Sequence, residues 1–190
     1  MPSSWTVLYD ASVLYPAPLR DLLMQLALTD LYRARWTEQI HEEWMRSLLN
    51  NRPDLTRTQL NHTRRLMNRH VPDCLIEHYE ELIPALTLPD PDDRHVLAAA
   101  IKGEVDVIVT MNLKDFPASV LAPYEVEAQH PDDFIVDLMD LDPYAVVEAV
   151  KICHARLKNP AKSVEEYLYI LAKQQLAVSV SRLRKLWFQV

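Results

Sequence analysis

Acidic residues stand where they could act together: Asp10, Glu43, the pair Asp92-Asp93, and Asp115. Carboxylate oxygens are hard ligands, suited to hard divalent cations. Asp10 closes the short apolar run Thr6-Val7-Leu8-Tyr9, which reads as a strand. Asp115 follows a second apolar run, Val105 to Val109, through the turn Thr110-Met111-Asn112-Leu113-Lys114. Ligands of open parallel sheets bind beyond the carboxyl ends of the strands. Asp10, Glu43 and Asp115 fall at that edge. Asp92-Asp93 opens a helix, so its direction depends on packing.

Helical angles of about 100° per residue choose between neighbouring carboxylates. The helix from Arg94 has its apolar stripe at Val96, Leu97, Ala100 and Ile101. Asp93 projects near the centre of that stripe and Asp92 about 110° away. A carboxylate aimed inward is costly unless a cation meets it, which selects Asp93. On the helix from Glu38, the buried side is marked by Ile40, Trp44 and Leu48; Glu43 borders it and Glu42 points away. Taken singly, each acid has an ordinary reading as turn former, cap or solvated helix residue. Four of them at one sheet edge, with no well-placed Lys or Arg to pair them, describe a divalent-cation site.

Other chemistries lack their residues. The seven histidines show no zinc spacing, and most are expected at the surface. Cys74 and Cys153 form no C-x-x-C pair, there is no G-x-S-x-G elbow, and the single glycine, Gly103, rules out glycine-rich phosphate loops. The four tryptophans are scattered and read as core or interface residues.

The elements that must position the acids alternate. After the strand at 6–9 come a helix from Leu19 to Leu31, a weaker strand at Arg35-Trp36-Thr37, and a helix from Glu38 to about Asn50 capped by Thr37. Residues 53–70 begin as a loop and become a polar helix; residues 71–88 give no clear pattern, with a helix open between Glu77 and Leu86. A helix from Arg94 to Lys102, a strand at 105–109, an edge strand at Val126-Glu127-Ala128 and a helix from Pro131 to Leu141 complete the pattern. Such alternation predicts an α/β fold with a parallel sheet covered on both faces. Beyond Asp142 the sequence is wholly helical, with candidates at 143–157, 164–173 and 176–187. The expected organisation is one unit at 1–141 and a helical extension at 142–190.

The chain has 190 residues, 49% hydrophobic and 25% charged, as in an ordinary globular protein. No apolar run approaches the roughly 20 residues of a membrane span. The start, Met1-Pro2-Ser3-Ser4-Trp5, lacks an export pattern, and the cysteine usage fits the cytosol. A net charge of −7 cautions against nucleic-acid binding by overall charge, although a cation cluster would offset local acidity.

Four segments resemble the motifs of PIN domains. Tyr9-Asp10-Ala11-Ser12-Val13-Leu14 is similar to the opening motif and Thr37-Glu38-Gln39-Ile40-His41-Glu42-Glu43-Trp44 to the second. Asp90-Pro91-Asp92-Asp93-Arg94-His95-Val96-Leu97 resembles the third, and Val107-Ile108-Val109-Thr110-Met111-Asn112-Leu113-Lys114-Asp115-Phe116 the last. The likeness covers roughly residues 5–135 and is nearest to the toxin halves of VapBC-type toxin–antitoxin pairs. It implies a three-layer α/β/α domain and a Mg²⁺- or Mn²⁺-dependent endoribonuclease using Asp10, Glu43, Asp93 and Asp115, with Ser12, Thr110 and Asn112 in support. It also implies an RNA substrate, a cognate antitoxin and a common homodimeric state. Arg64 and Arg65, and near the end Arg182, Arg184 and Lys185, are candidates for phosphate contacts, a solvated face being the ordinary alternative. A catalytically silent PIN-like binding module is the rival reading; a haloacid-dehalogenase-type phosphatase ranks last, since it wants an Asp two residues after the first and this chain has Ser12. The tail departs from compact toxins of the family. Its apolar residues would either form a hairpin for a partner or pack back onto the core.

Overall fold

A computed structural model describes residues 5–189. Residues 1–4 and 190, which include most of the amino-terminal segment read above, lie outside the described residues. The strands are β1 (Thr6–Tyr9), β2 (Arg33–Arg35), β3 (Val107–Val109) and β4 (Glu127–Gln129). All pair in parallel, in the order β2-β1-β3-β4. Every residue of β1 and β3 is buried, as expected for strands covered on both faces. The helices are α1 (Ala11–Leu14), α2 (Ala17–Leu26), α3 (Glu38–Asn51), α4 (Arg57–His70), α5 (Arg94–Lys102), α6 (Ala118–Leu121), α7 (Pro131–Leu141), α8 (Pro143–Ala155), α9 (Val164–Ala172) and α10 (Ala177–Leu186). Among the described residues no helix is long and apolar enough to cross a membrane.

The strands expected at 105–109 and 126–128 lie at 107–109 and 127–129, and the helix expected to reach residue 157 ends at Ala155; two larger differences are explained by a local hydrogen bond. The helix expected to reach Leu31 stops at Leu26, where the Thr29 hydroxyl donates to the Leu26 carbonyl at 2.6 Å and competes with helix continuation. Asp30 then turns with φ 60°. The strand expected at 35–37 lies at 33–35, because Thr37 is taken by the next helix: its hydroxyl accepts from the Ile40 amide at 3.0 Å. The ambiguous stretch at 77–86 is a 3-10 helix at Glu80–Ala85 with Pro84 inside it. Gly103 ends α5 where an added Cβ would stand 2.6 Å from Ile76 Cδ1, a close approach no side chain tolerates without repacking.

The tail packs back. Leu168, Leu171, Leu176, Val180, Leu183 and Trp187 are buried, with α9 against α2 and α10 against α7 and α8. Most of the apolar surface that could have formed a free hairpin is thus consumed inside the chain, Ile170 being partly buried and Tyr169, Val178 and Phe188 exposed.

Candidate active site

The site begins with the strand order. From β1 the chain moves to β2 on one side, while β3 joins β1 on the other, so the carboxyl ends of β1 and β3 flank a topological switch point. Asp10 follows β1 and Thr110 follows β3, and the Asp10 amide donates to the Val109 carbonyl at 3.1 Å. The Asp10 carboxylate is buried and accepts, on one oxygen, from Ser12 Oγ at 2.7 Å and Thr110 Oγ1 at 2.9 Å. These hydroxyls are themselves oriented from behind. Ser12 Oγ accepts from the Met111 amide and Thr110 Oγ1 from the Asn112 amide, each at 3.0 Å. Asn112 thus contributes through its backbone, with its side chain exposed. Burial pushes the Asp10 carboxyl up from its usual range, the two hydroxyl bonds pull it back, and the Glu43 charge adds to the rise.

Glu43 is carried by α3, whose position depends on a buried polar chain. Trp44 Nε1 donates to His41 Nδ1 at 3.0 Å, so the neutral ring carries its proton on Nε2, which meets Asn68 Oδ1 at 2.9 Å. Trp36 Nε1 donates to the same oxygen at 2.8 Å, tying α3 and α4 to the end of β2. Burial holds His41 below the usual imidazole range, consistent with that tautomer. The Glu43 carboxylate approaches His95 Nε2 of α5 at 2.5 Å, outside hydrogen-bond geometry. His41 and His95 are both buried, against the expectation of surface histidines.

Asp93 sits half-buried at the start of α5, after a turn in which Asp90 accepts from the Asp92 amide at 2.9 Å. Its carboxyl is pushed up to about 7, first by burial, then by the charges of Asp10, Asp90, Asp115 and Glu43. Asp10, Glu43 and Asp115, from three other segments, therefore all bring their charge to bear on Asp93. Glu43, Asp92 and Asp93 line a cavity of about 560 Å³ together with Ser12, Tyr15 and Arg46. Glu42, the neighbour passed over, instead pairs with Arg57 at 2.5 Å. Among the described residues no group of three His, Cys, Asp or Glu is already gathered as for a bound ion. Donor chemistry nevertheless fits a hard cation: the acids are oxygen donors, and burial together with neighbouring like charges opposes ionisation of Asp93, which a cation would favour.

A family model described as PIN domain matches residues 6–114. The chain belongs to the PIN-domain family. A second model, described as VapC50 C-terminal domain, matches residues 131–185 of this PIN-domain protein. Over 63 residues the chain is 52% identical to "Putative ribonuclease VapC50" of Mycobacterium tuberculosis (strain ATCC 25618 / H37Rv), an alignment covering 33% of this chain and 37% of that relative. No solved structure matches.

Two residues beside Glu43, one of them outside the lining of this PIN domain's cavity, escaped the sequence reading. His95 stands on a helix buried on every side, where periodicity carries no signal. Arg46 lies three residues beyond Glu43, a spacing that places both on one helix face and could have drawn attention. Among the arginines that were named, Arg64 meets Glu38 at 3.3 Å and Glu42 at 3.8 Å, Arg182 meets Asp140 at 2.6 Å, and Arg184 meets Glu165 at 3.2 Å. Arg65 is exposed on α4.

Proposed function

We propose that this PIN-domain chain is a divalent-cation-dependent endoribonuclease and the toxin of a toxin–antitoxin pair, restrained by a cognate antitoxin. The carrying observation is the convergence of three acids on a fourth: the charges of Asp10, Glu43 and Asp115 all reach the half-buried Asp93. The name of the mycobacterial relative supports RNA as the substrate. In this reading residues 1–141 form the nuclease unit and 142–190 an extension fused to its surface.

Asp10, Glu43, Asp93 and Asp115 would hold Mg²⁺ or Mn²⁺. When bound, such an ion supplies activation of water and neutralisation of charge on the attacked phosphate. Ser12 and Thr110 hold Asp10 in one orientation, and His95 limits where the Glu43 carboxylate can swing. Hydrolysis would leave a 5′-phosphate and a 3′-hydroxyl. The test is digestion of a total RNA pool with Mg²⁺ or Mn²⁺ against EDTA. Cutting only with the cation is expected; a folded protein that never cuts under either metal overturns the reading.

Two further outcomes follow from the geometry. Ser12→Ala combined with Thr110→Val leaves Asp10 without its orienting hydroxyls and should reduce cleavage by roughly 10–100-fold, the range for loss of outer-shell partners. Retention of full activity in that double variant would show that Asp10 needs no ordering. Cation binding must also displace a proton from Asp93 below about pH 7. The rise in melting temperature on adding Mn²⁺ should therefore be larger near pH 8 than near pH 5.5. An equal rise at both values would remove Asp93 from the ligand set.

A further inference from the structure

Arg20 is an anomalous cation. It is 9% exposed, yet among the described residues no carboxylate lies within ion-pair distance of it. Its Nη1 donates to the carbonyl oxygens of Leu14 at 2.8 Å and Tyr15 at 3.4 Å, while its Nε is buried without a partner. The guanidinium lies 4.7 Å from the Trp44 ring centroid. Asp21 is the carboxylate whose charge reaches it, and Asp21 also feels Arg156. Buried arginines are usually paired, so one with no carboxylate in contact and a buried Nε without a partner, under a surface depression, points to an anion from outside.

That depression is a groove of about 570 Å³ lined by Arg20 and Tyr15, and Tyr15 also lines the acidic cavity, so the two adjoin at this residue. Trp44, on which Arg20 rests, faces the same cavity. Helix α3 runs alongside both, with Glu43 and Arg46 at the cavity, Leu48 at the groove, and Arg52 at the groove just past its end. Arg52 is neutralised by Asp54, at 2.9 and 2.7 Å. Arg46 is different: it is exposed, shares its cavity with Glu43, Asp92 and Asp93, and makes no ion pair with them among the described residues. The cavity alone repels phosphate, so a polyanion needs a cationic anchor immediately beside it.

We propose that the Tyr15–Arg20 groove holds the single-stranded RNA flanking the bond cut in the acidic cavity, with Arg46 on the backbone phosphate between them and Tyr15 under an unstacked base. This rests on the ribonuclease reading. A half-buried tyrosine face serves unpaired bases without regard to sequence, and a guanidinium suits the two oxygens of a phosphate. Arg20 supplies positive potential from the floor of the groove.

The experiment measures binding of a short, mixed-sequence, end-labelled single-stranded RNA in EDTA by fluorescence anisotropy across a salt series, with Mn²⁺-dependent cleavage followed in parallel. Arg46→Gln should weaken binding about tenfold and lower the salt slope by about 0.7, one phosphate contact on a single strand. Tyr15→Leu should weaken it by roughly 5–100-fold with little change in slope, and Tyr15→Phe should bind as wild type, because stacking needs the ring and not the hydroxyl. If wild type cleaves while Arg46→Gln and Tyr15→Leu bind with unchanged affinity and slope, the groove is overturned and the ribonuclease reading stands. Binding that depends on both residues without cleavage under any cation supports the groove and removes the ribonuclease reading. A wild-type protein that binds no RNA overturns the groove.

Discussion

Asp93→Asn is expected to lose RNA cleavage and gain stability at the same time. As a proposed ligand, Asp93 should cost more than the roughly 10–100-fold of an outer-shell partner when it is removed. Its effect on stability has the opposite sign. The Asp93 carboxyl is raised to about 7 in the folded chain, so the folded state binds more protons than the unfolded one between the ordinary carboxylate range and that value. Stability without cation therefore falls as pH rises through this window. Asparagine, uncharged throughout, removes that loss: its melting temperature in EDTA should exceed that of wild type near pH 8 and match it near pH 4. Full nuclease activity in Asp93→Asn would sink its assignment as a ligand. A variant less stable than wild type in EDTA near pH 8 would contradict the repulsion inferred from its neighbours.

The largest stability change should come from outside the cavity, at Asp132. This residue of α7 is buried, and its carboxylate caps another helix. The Val178 and Ser179 amides donate to it at 3.0 and 2.8 Å, and Ser179 Oγ at 2.6 Å. Leu176, at the N-cap of α10, has no side chain able to do this, so the cap is supplied across the fold. Asp132→Ala leaves two amides short of their acceptor and the Ser179 hydroxyl with only the main-chain carbonyl of residue 132, at 3.2 Å, a loss of roughly 3 kcal/mol. For a chain of this size that lowers the melting temperature by on the order of 6–12 °C. The exposed neighbour Asp133→Ala serves as control and should stay within about 0.5 kcal/mol of wild type. Equal melting of the two variants would mean that the cap does not hold α10 to α7.

Much of the frame could be read directly. The bounds of β1, α5 and α7 follow from unbroken apolar runs and from prolines or acids at helix starts, and the structure has them at those residues. Helical angle alone separated Glu43, at the cavity, from Glu42, on Arg57. Strand ends were harder, because Thr37 and Thr29 spend their hydroxyls on local caps whose effect on the chain is not periodic.

The sequence by itself determined the alternation of strands and helices, the helical tail, and the acids at strand and helix ends. These depend on local spacing: period two or 3.6, caps and turns. Tertiary structure alone decided that β3 joins β1 opposite β2, which brings Thr110 onto Asp10 across a separation of 100 residues. It also decided that His95 meets Glu43, that Asp132 caps α10, that the tail's apolar face packs on α2 and α7, and that Arg20 is buried beneath a groove with, among the described residues, no carboxylate at ion-pair distance. Such pairings join residues whose distance along the chain carries no information about their distance in space; they arise only when the sheet order and helix packing are settled.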